Sequence, residues 1–127
     1  MKQIFFISGH RDVTQEEFDT YYSPILDKLL DNENNEFVIG DYNGVDTMAQ
    51  QFINDYNINP KRVTIYHMFD KPRNLINENF NTKGGFKTDE ERDSAMTNVS
   101  TQDVAWIRKG KEKSGTAQNI LRRYTFK

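Results

Sequence analysis

The sequence predicts an α/β fold: a doubly wound parallel sheet of about four strands, order 3-2-1-4, with helices on both faces. Three observations carry this. Ile4–Ile7 is a short, wholly apolar run, as a strand buried on both faces requires. It breaks at Ser8-Gly9-His10-Arg11-Asp12, and Thr14 with Glu17 then gives the T-x-x-E spacing that starts a helix. The same succession of apolar run, small-residue turn and amphipathic segment recurs down the chain, which implies parallel strands joined by helical crossovers.

The first helix is expected from Thr14 to Asp31, with Phe18, Tyr21, Tyr22, Ile25 and Leu29 at helical spacing. Pro24 removes a backbone bond and clashes with the preceding turn, so a kink or break is expected there. Phe37–Ile39 is the second strand. Val45, Met48, Ala49, Phe52, Ile53 and Tyr56 then share one face of the second helix. Arg62–His67 is the third strand. Residues 69–87 carry Pro72, Gly84 and Gly85 without useful periodicity, and a long loop or lid is expected. Thr88 with Glu91 starts a third helix reaching about Val99. Val104–Ile107 is the fourth strand, and Gly115-Thr116 opens the last helix. In this order the turns after strands one, two and four share one edge of the sheet. Strands one and four flank the switch point where such sheets bind ligands.

At 127 residues the chain is one domain's worth, expected to span 1–127. A net charge of -2 disfavours nucleic acid as a partner. With no cysteine and only His10 and His67, neither thiolate chemistry nor a histidine metal site is expected, and no cofactor is implied. No apolar run approaches the ~20 residues of a membrane span, and Ile4–Ile7 is too short for a signal peptide. A cytoplasmic protein is expected.

Three turns carry candidate chemistry. In Ser8–Arg11, Gly9 allows close backbone approach, and Arg11 places a cation beside a helix start, which suits a phosphate. His10 alone reads more readily as a structural histidine than as a base. The second turn, with Gly40, Asp41, Gly44, Val45 and Asp46, has glycines that let backbone N–H groups face a ligand. Asp46 suits either a ribose hydroxyl or the helix dipole. Ser114-Gly115-Thr116 offers hydroxyls and backbone donors at a helix start. Lys109, Lys111 and Lys113 precede it and would raise the local anion concentration. If Met96 is core, Arg92 one turn earlier points to the same cleft.

Together, Gly-His-Arg after the first strand, the run Gly40-Asp41-x-x-Gly44-Val45-Asp46-Thr47-x-Ala49, Arg92-Asp93-x-x-Met96 and Ser114-Gly115-Thr116 resemble the SLOG superfamily. This is the Rossmann-like group of DNA-processing protein A and the lonely-guy phosphoribohydrolases. The likeness covers most of the chain and is strongest to small stand-alone bacterial and phage members. It implies a bacterial cell or phage-infected host, and a cleft for a nucleotide or a nucleotide-derived ligand, NAD-derived or cyclic forms included. It also implies homo-oligomers, for which Tyr21 and Tyr22 would offer aromatic surface.

One position departs from the family. The lonely-guy signature P-G-G-x-G-T-x-x-E ends in a catalytic glutamate, and the matching position here is Asn119. Asparagine is neither a carboxylate base nor a nucleophile. Binding without turnover, as a sensor, carrier or phage sponge, is therefore the leading expectation. The alternatives are an N-glycosidase acting on nucleoside monophosphates through Asp46, Asp93 or Glu90, and a DNA-handling module.

Overall fold

A computed structural model describes residues 2–126. Five parallel strands form one sheet in the order β4-β3-β2-β1-β5: β1 Ile4–Ile7, β2 Glu36–Gly40, β3 Val63–Met68, β4 Asn81–Phe86 and β5 Gln102–Val104. Both the count and the order differ from the sequence expectation, because β4 adds an edge strand outside β3. It comes from the second half of the segment expected to be a loop. Residues 69–80 remain irregular, and hydrogen bonds tie them to the turn after β2 and to the helix that follows it: Arg73 N–H to Asp41 Oδ2 (2.7 Å) and Ile76 N–H to Gln50 Oε1 (3.0 Å).

The apolar strands alternate between two cores. Phe5, Ile7, Phe37, Ile39, Val63 and Ile65 face the larger one, beneath α1 (Gln15–Tyr21), α2 (Ser23–Leu30) and α3 (Val45–Asp55). Phe6, Val38 and Tyr66 face the other side, where Met96 of α4 (Asp89–Val99) packs. Helices therefore cover both faces, and α5 (Gly115–Phe126) lies against α4. Truncating a fully buried side chain such as Leu26 or Ile53 to alanine costs about 2–5 kcal/mol.

Local chemistry sets the element ends. Thr14 and Glu17 make the reciprocal capping box at α1. Pro24 splits the expected first helix into α1 and α2, with the proline in the first turn of α2. Tyr22, expected as surface, is fully buried, and its hydroxyl donates to Ser8 O (2.8 Å) and accepts Trp106 N–H (3.0 Å). Tyr21 is 43% exposed and stacks on Trp106. The fourth expected strand lies earlier than Val104–Ile107. β5 pairs with β1 only as far as Ile7 opposite Val104, where β1 ends. Beyond that point Trp106 and Arg108 give their N–H groups to the Tyr22 hydroxyl and His10. No described helix is long and apolar enough to cross a membrane.

Candidate functional site

A cleft of about 380 Å³ opens at the carboxyl ends of β1 and β2 and the start of α5. It lies where β1 pairs with β2 on one side and β5 on the other, the switch point of the sheet. Its volume falls within the range of small-molecule sites.

The turn after β1 brings Ser8, Gly9, His10 and Arg11 to the cleft. The helix start does not come with them. α1 begins only at Gln15, and its capping box satisfies it internally, so the expected pairing of Arg11 with a positive helix end does not form. Gly9 serves packing: a Cβ there would stand 2.4 Å from Val45 Cγ2 and 2.5 Å from the Tyr22 hydroxyl. Arg11 is exposed at the rim and reaches the Tyr42 hydroxyl (3.3 Å). His10 is buried, and its Nε2 accepts Arg108 N–H (2.9 Å). This bond places the neutral ring's proton on Nδ1. Burial, then the Arg108 charge, lowers its pKa below 6.5.

The second turn divides. Gly40 and Asp46 line the cleft; Asp41, Gly44 and Val45 sit behind it. Asp41 is fully buried between Arg73 Nη2 (2.8 Å) and Arg92 Nη1 (2.9 Å). Burial alone would raise its carboxyl, but the Arg73 hydrogen bonds and the two cations hold it below the usual range. Gly44 has φ +81°, and a Cβ there would meet the Arg11 backbone at 2.4 Å. Val45 is core. Asp46 is 8% exposed, and its Oδ2 accepts Tyr42 N–H (3.0 Å). Burial pushes its carboxyl up to about 7, against the pull of Arg92 and that N–H.

From α4, Arg92 and Asp93 reach the cleft; Glu90 is exposed and does not. Arg92 Nε and Nη2 donate to Asp93 Oδ1 (3.1 and 2.9 Å), and Nη1 lies 3.2 Å from Asp89. Burial raises the Asp93 carboxyl, opposed by Arg92 and a hydrogen bond from Asn119. Asn119 Oδ1 accepts from Arg122 (2.7 Å), which leaves its amide NH₂ to face Asp93. Asn119, itself at the cleft, is thus a hydrogen-bond partner of a cleft carboxylate.

Ser114 caps α5: its Oγ accepts Ala117 N–H (3.2 Å) and its carbonyl accepts Gln118 N–H (3.0 Å). The N–H groups of Gly115 and Thr116 have no hydrogen-bond acceptor among the described residues and lie at the cleft. Lys111 joins them; Lys109 and Lys113 do not. Ser8 is 5% exposed, and its Oγ is buried without a hydrogen-bond partner. No residue of 69–87 lines the cleft.

Sequence reasoning missed Tyr42, Asn43 and Asp89. Asp89 carried a usable signal, because it lies three residues before Arg92 on one helix and therefore on the same face. Tyr42 and Asn43 lay inside the glycine-bounded turn but had no pattern of their own. The chain matches no family model, no curated protein and no solved structure.

Proposed function

We propose that this chain is a small Rossmann-like domain of the SLOG type whose cleft reversibly binds a nucleotide or nucleotide-derived ligand, as a sensor, carrier or sponge. The anionic end of the ligand lies at the start of α5. The observation that carries this reading is that the N–H groups of Gly115 and Thr116, two residues of the cleft lining, have no acceptor among the described residues, while Lys111 and Arg11 line the same cleft. Backbone donors and the dipole at a helix start favour a phosphate, and two cations add to that field. Tyr42, partly exposed at the cleft, supplies aromatic surface for a base.

Calorimetry with AMP and ADP-ribose tests this reading. Both are expected to bind saturably, and Lys111→Ala with Arg11→Ala is expected to weaken both. Affinity unchanged in the double variant would place the ligand elsewhere.

The second reading, hydrolysis of an N-glycosidic bond, is favoured by one observation: Asp46 is a cleft carboxyl pushed up to about 7, where a general acid or base is effective. Incubation with nucleoside monophosphates followed by chromatography separates the two. Intact ligand recovered after denaturation supports binding. Free base beyond one equivalent, lost in Asp46→Asn, supports hydrolysis.

A further inference from the structure

The chain holds a single Asn-Gly pair, Asn43-Gly44, in the turn between β2 and α3. Asparagine followed by glycine is chemically labile. The glycine nitrogen can attack the asparagine side-chain carbonyl carbon and close a succinimide ring. Glycine has no Cβ to obstruct that approach, and its backbone takes conformations other residues avoid. Whether the pair reacts in a folded protein depends on which of its groups the turn leaves free.

This turn leaves the reacting groups free. Asn43 is exposed and lines the cleft. Nearby, the N–H groups of Tyr42 and Val45 are held by Asp46 Oδ2 (3.0 Å) and His10 O (3.4 Å). The Gly44 nitrogen, which would be the nucleophile, gives its N–H to no acceptor among the described residues. Asn43 Nδ2, which would leave, donates to none of them either. Asn43 Oδ1 accepts from Asn74 Nδ2 (3.2 Å). That bond polarises the carbonyl under attack and supplies a donor to the oxyanion that forms on it.

We propose that Asn43-Gly44 is a site of spontaneous deamidation in the folded protein, and that the change weakens anion binding in the cleft. Gly44 N loses its proton to solvent base and bonds Asn43 Cγ. The Cγ–Nδ2 bond breaks, and Nδ2 takes a proton from solvent and leaves as ammonia. Water then opens the succinimide at either carbonyl, leaving aspartate or isoaspartate at position 43. Each product adds a carboxylate to a lining that already carries Asp46, Asp89 and Asp93, and so opposes the field of Arg11 and Lys111. The isoaspartate also lengthens the main chain beside Gly44, which packs so closely that a Cβ on it would stand 2.4 Å from Arg11 Cα. The effect on binding rests on the nucleotide reading above; the modification does not.

The test incubates the wild-type protein for days at pH 8, folded and in guanidinium, and locates the change by peptide mass mapping. An amide-to-acid mass gain at position 43 is expected in the folded sample. Aspartate and isoaspartate should both be present, and the rate should rise with hydroxide concentration. Asn43→Gln is expected to abolish the gain, because its longer side chain closes the ring poorly. Asn43 left intact in the folded protein over the time that converts the unfolded chain would overturn the assignment. Calorimetry with AMP reads the consequence. Incubated protein and Asn43→Asp are each expected to bind several-fold more weakly than fresh protein, and Asn43→Gln to keep its starting affinity through the same incubation. Equal AMP affinity in fresh protein and Asn43→Asp would overturn the effect on the cleft and leave the modification site standing. Fresh protein that binds no AMP would overturn the nucleotide reading and that effect together, while the mass readout still decides the modification.

Discussion

The Asp46 carboxylate and the Arg92 guanidinium both crowd the open face of Gly40, where a Cβ would stand 2.6 Å from Asp46 Oδ2 and 2.9 Å from Arg92 Cζ. The glycine makes room for both side chains, which line the cleft. Gly40→Ala is expected to cost about 1–3 kcal/mol, the scale of overpacking a filled site. Gly115→Ala, where a Cβ meets nothing within 4 Å, is expected to stay within about 0.5 kcal/mol of wild type. Urea denaturation measures both, and a Gly40→Ala protein as stable as wild type would remove the steric account.

Asp46 also makes stability depend on pH. Its folded pKa of about 7 lies above the unfolded value of 3.8, so the folded state holds the extra proton between these limits. Stability therefore falls as pH rises from about 4 to about 7, by at most roughly 4 kcal/mol for this one group. The raised Asp93 carboxyl acts in the same direction. Asp46→Asn is expected to flatten the slope and to be more stable than wild type at pH 8. Parallel pH–stability curves for the two proteins would contradict this.

Tyr22 ties the ends of two strands together through Ser8 O and Trp106 N–H. Burial pushes its phenol up to about 12, so it remains a donor throughout the physiological range. Tyr22→Phe leaves both groups unpaired and is expected to cost about 1–3 kcal/mol. A change in Trp106 fluorescence should accompany the loss. Unchanged stability would show that water replaces the hydroxyl at no cost.

His10 holds the loop before α5 by accepting the Arg108 N–H, while the Arg108 side chain pairs with Asp12 and Glu17. Arg108 and Lys111 disfavour the imidazolium, and Asp12 and Glu17 favour it. The folded pKa lies below the unfolded 6.5, so this contact is fully present above 6.5 and is lost as pH falls through the folded value. In an NMR titration the Arg108 amide should move with the His10 ring, at a midpoint below 6.5. A midpoint above 6.5, or an Arg108 amide that ignores the ring, would contradict this.

Strands β1 and β2 were legible because each carries an apolar run buried on both faces, as a covered parallel sheet requires, and β3 because Val63 and Ile65 lie in a short β-branched stretch. The break at Pro24 followed from proline's missing N–H. Strand β4 was not legible: Asn81–Phe86 is mostly exposed and carries Gly84, whose Cβ position is filled by the His67 ring. An edge strand needs no alternating apolar pattern. In the site, Ser8, Arg92 and Ser114–Thr116 were readable from their turns and spacing. The Arg73–Asp41–Arg92 arrangement was not, because its members lie 32 and 51 residues apart and meet only once the sheet forms. It also explains why Asp41, expected in the cleft, is a buried counter-ion behind it.

The proposed function requires a nucleotide to rest its phosphate on the Gly115 and Thr116 N–H groups at the start of α5, which have no acceptor among the described residues. A ¹H–¹⁵N NMR titration with AMP follows these amides individually. Saturable shifts of the Gly115 and Thr116 amides are expected, with Ser8 following and Gly85, on the distant edge strand, unmoved. Saturable binding that leaves the Gly115 and Thr116 amides in place, or no binding at millimolar AMP, would contradict it.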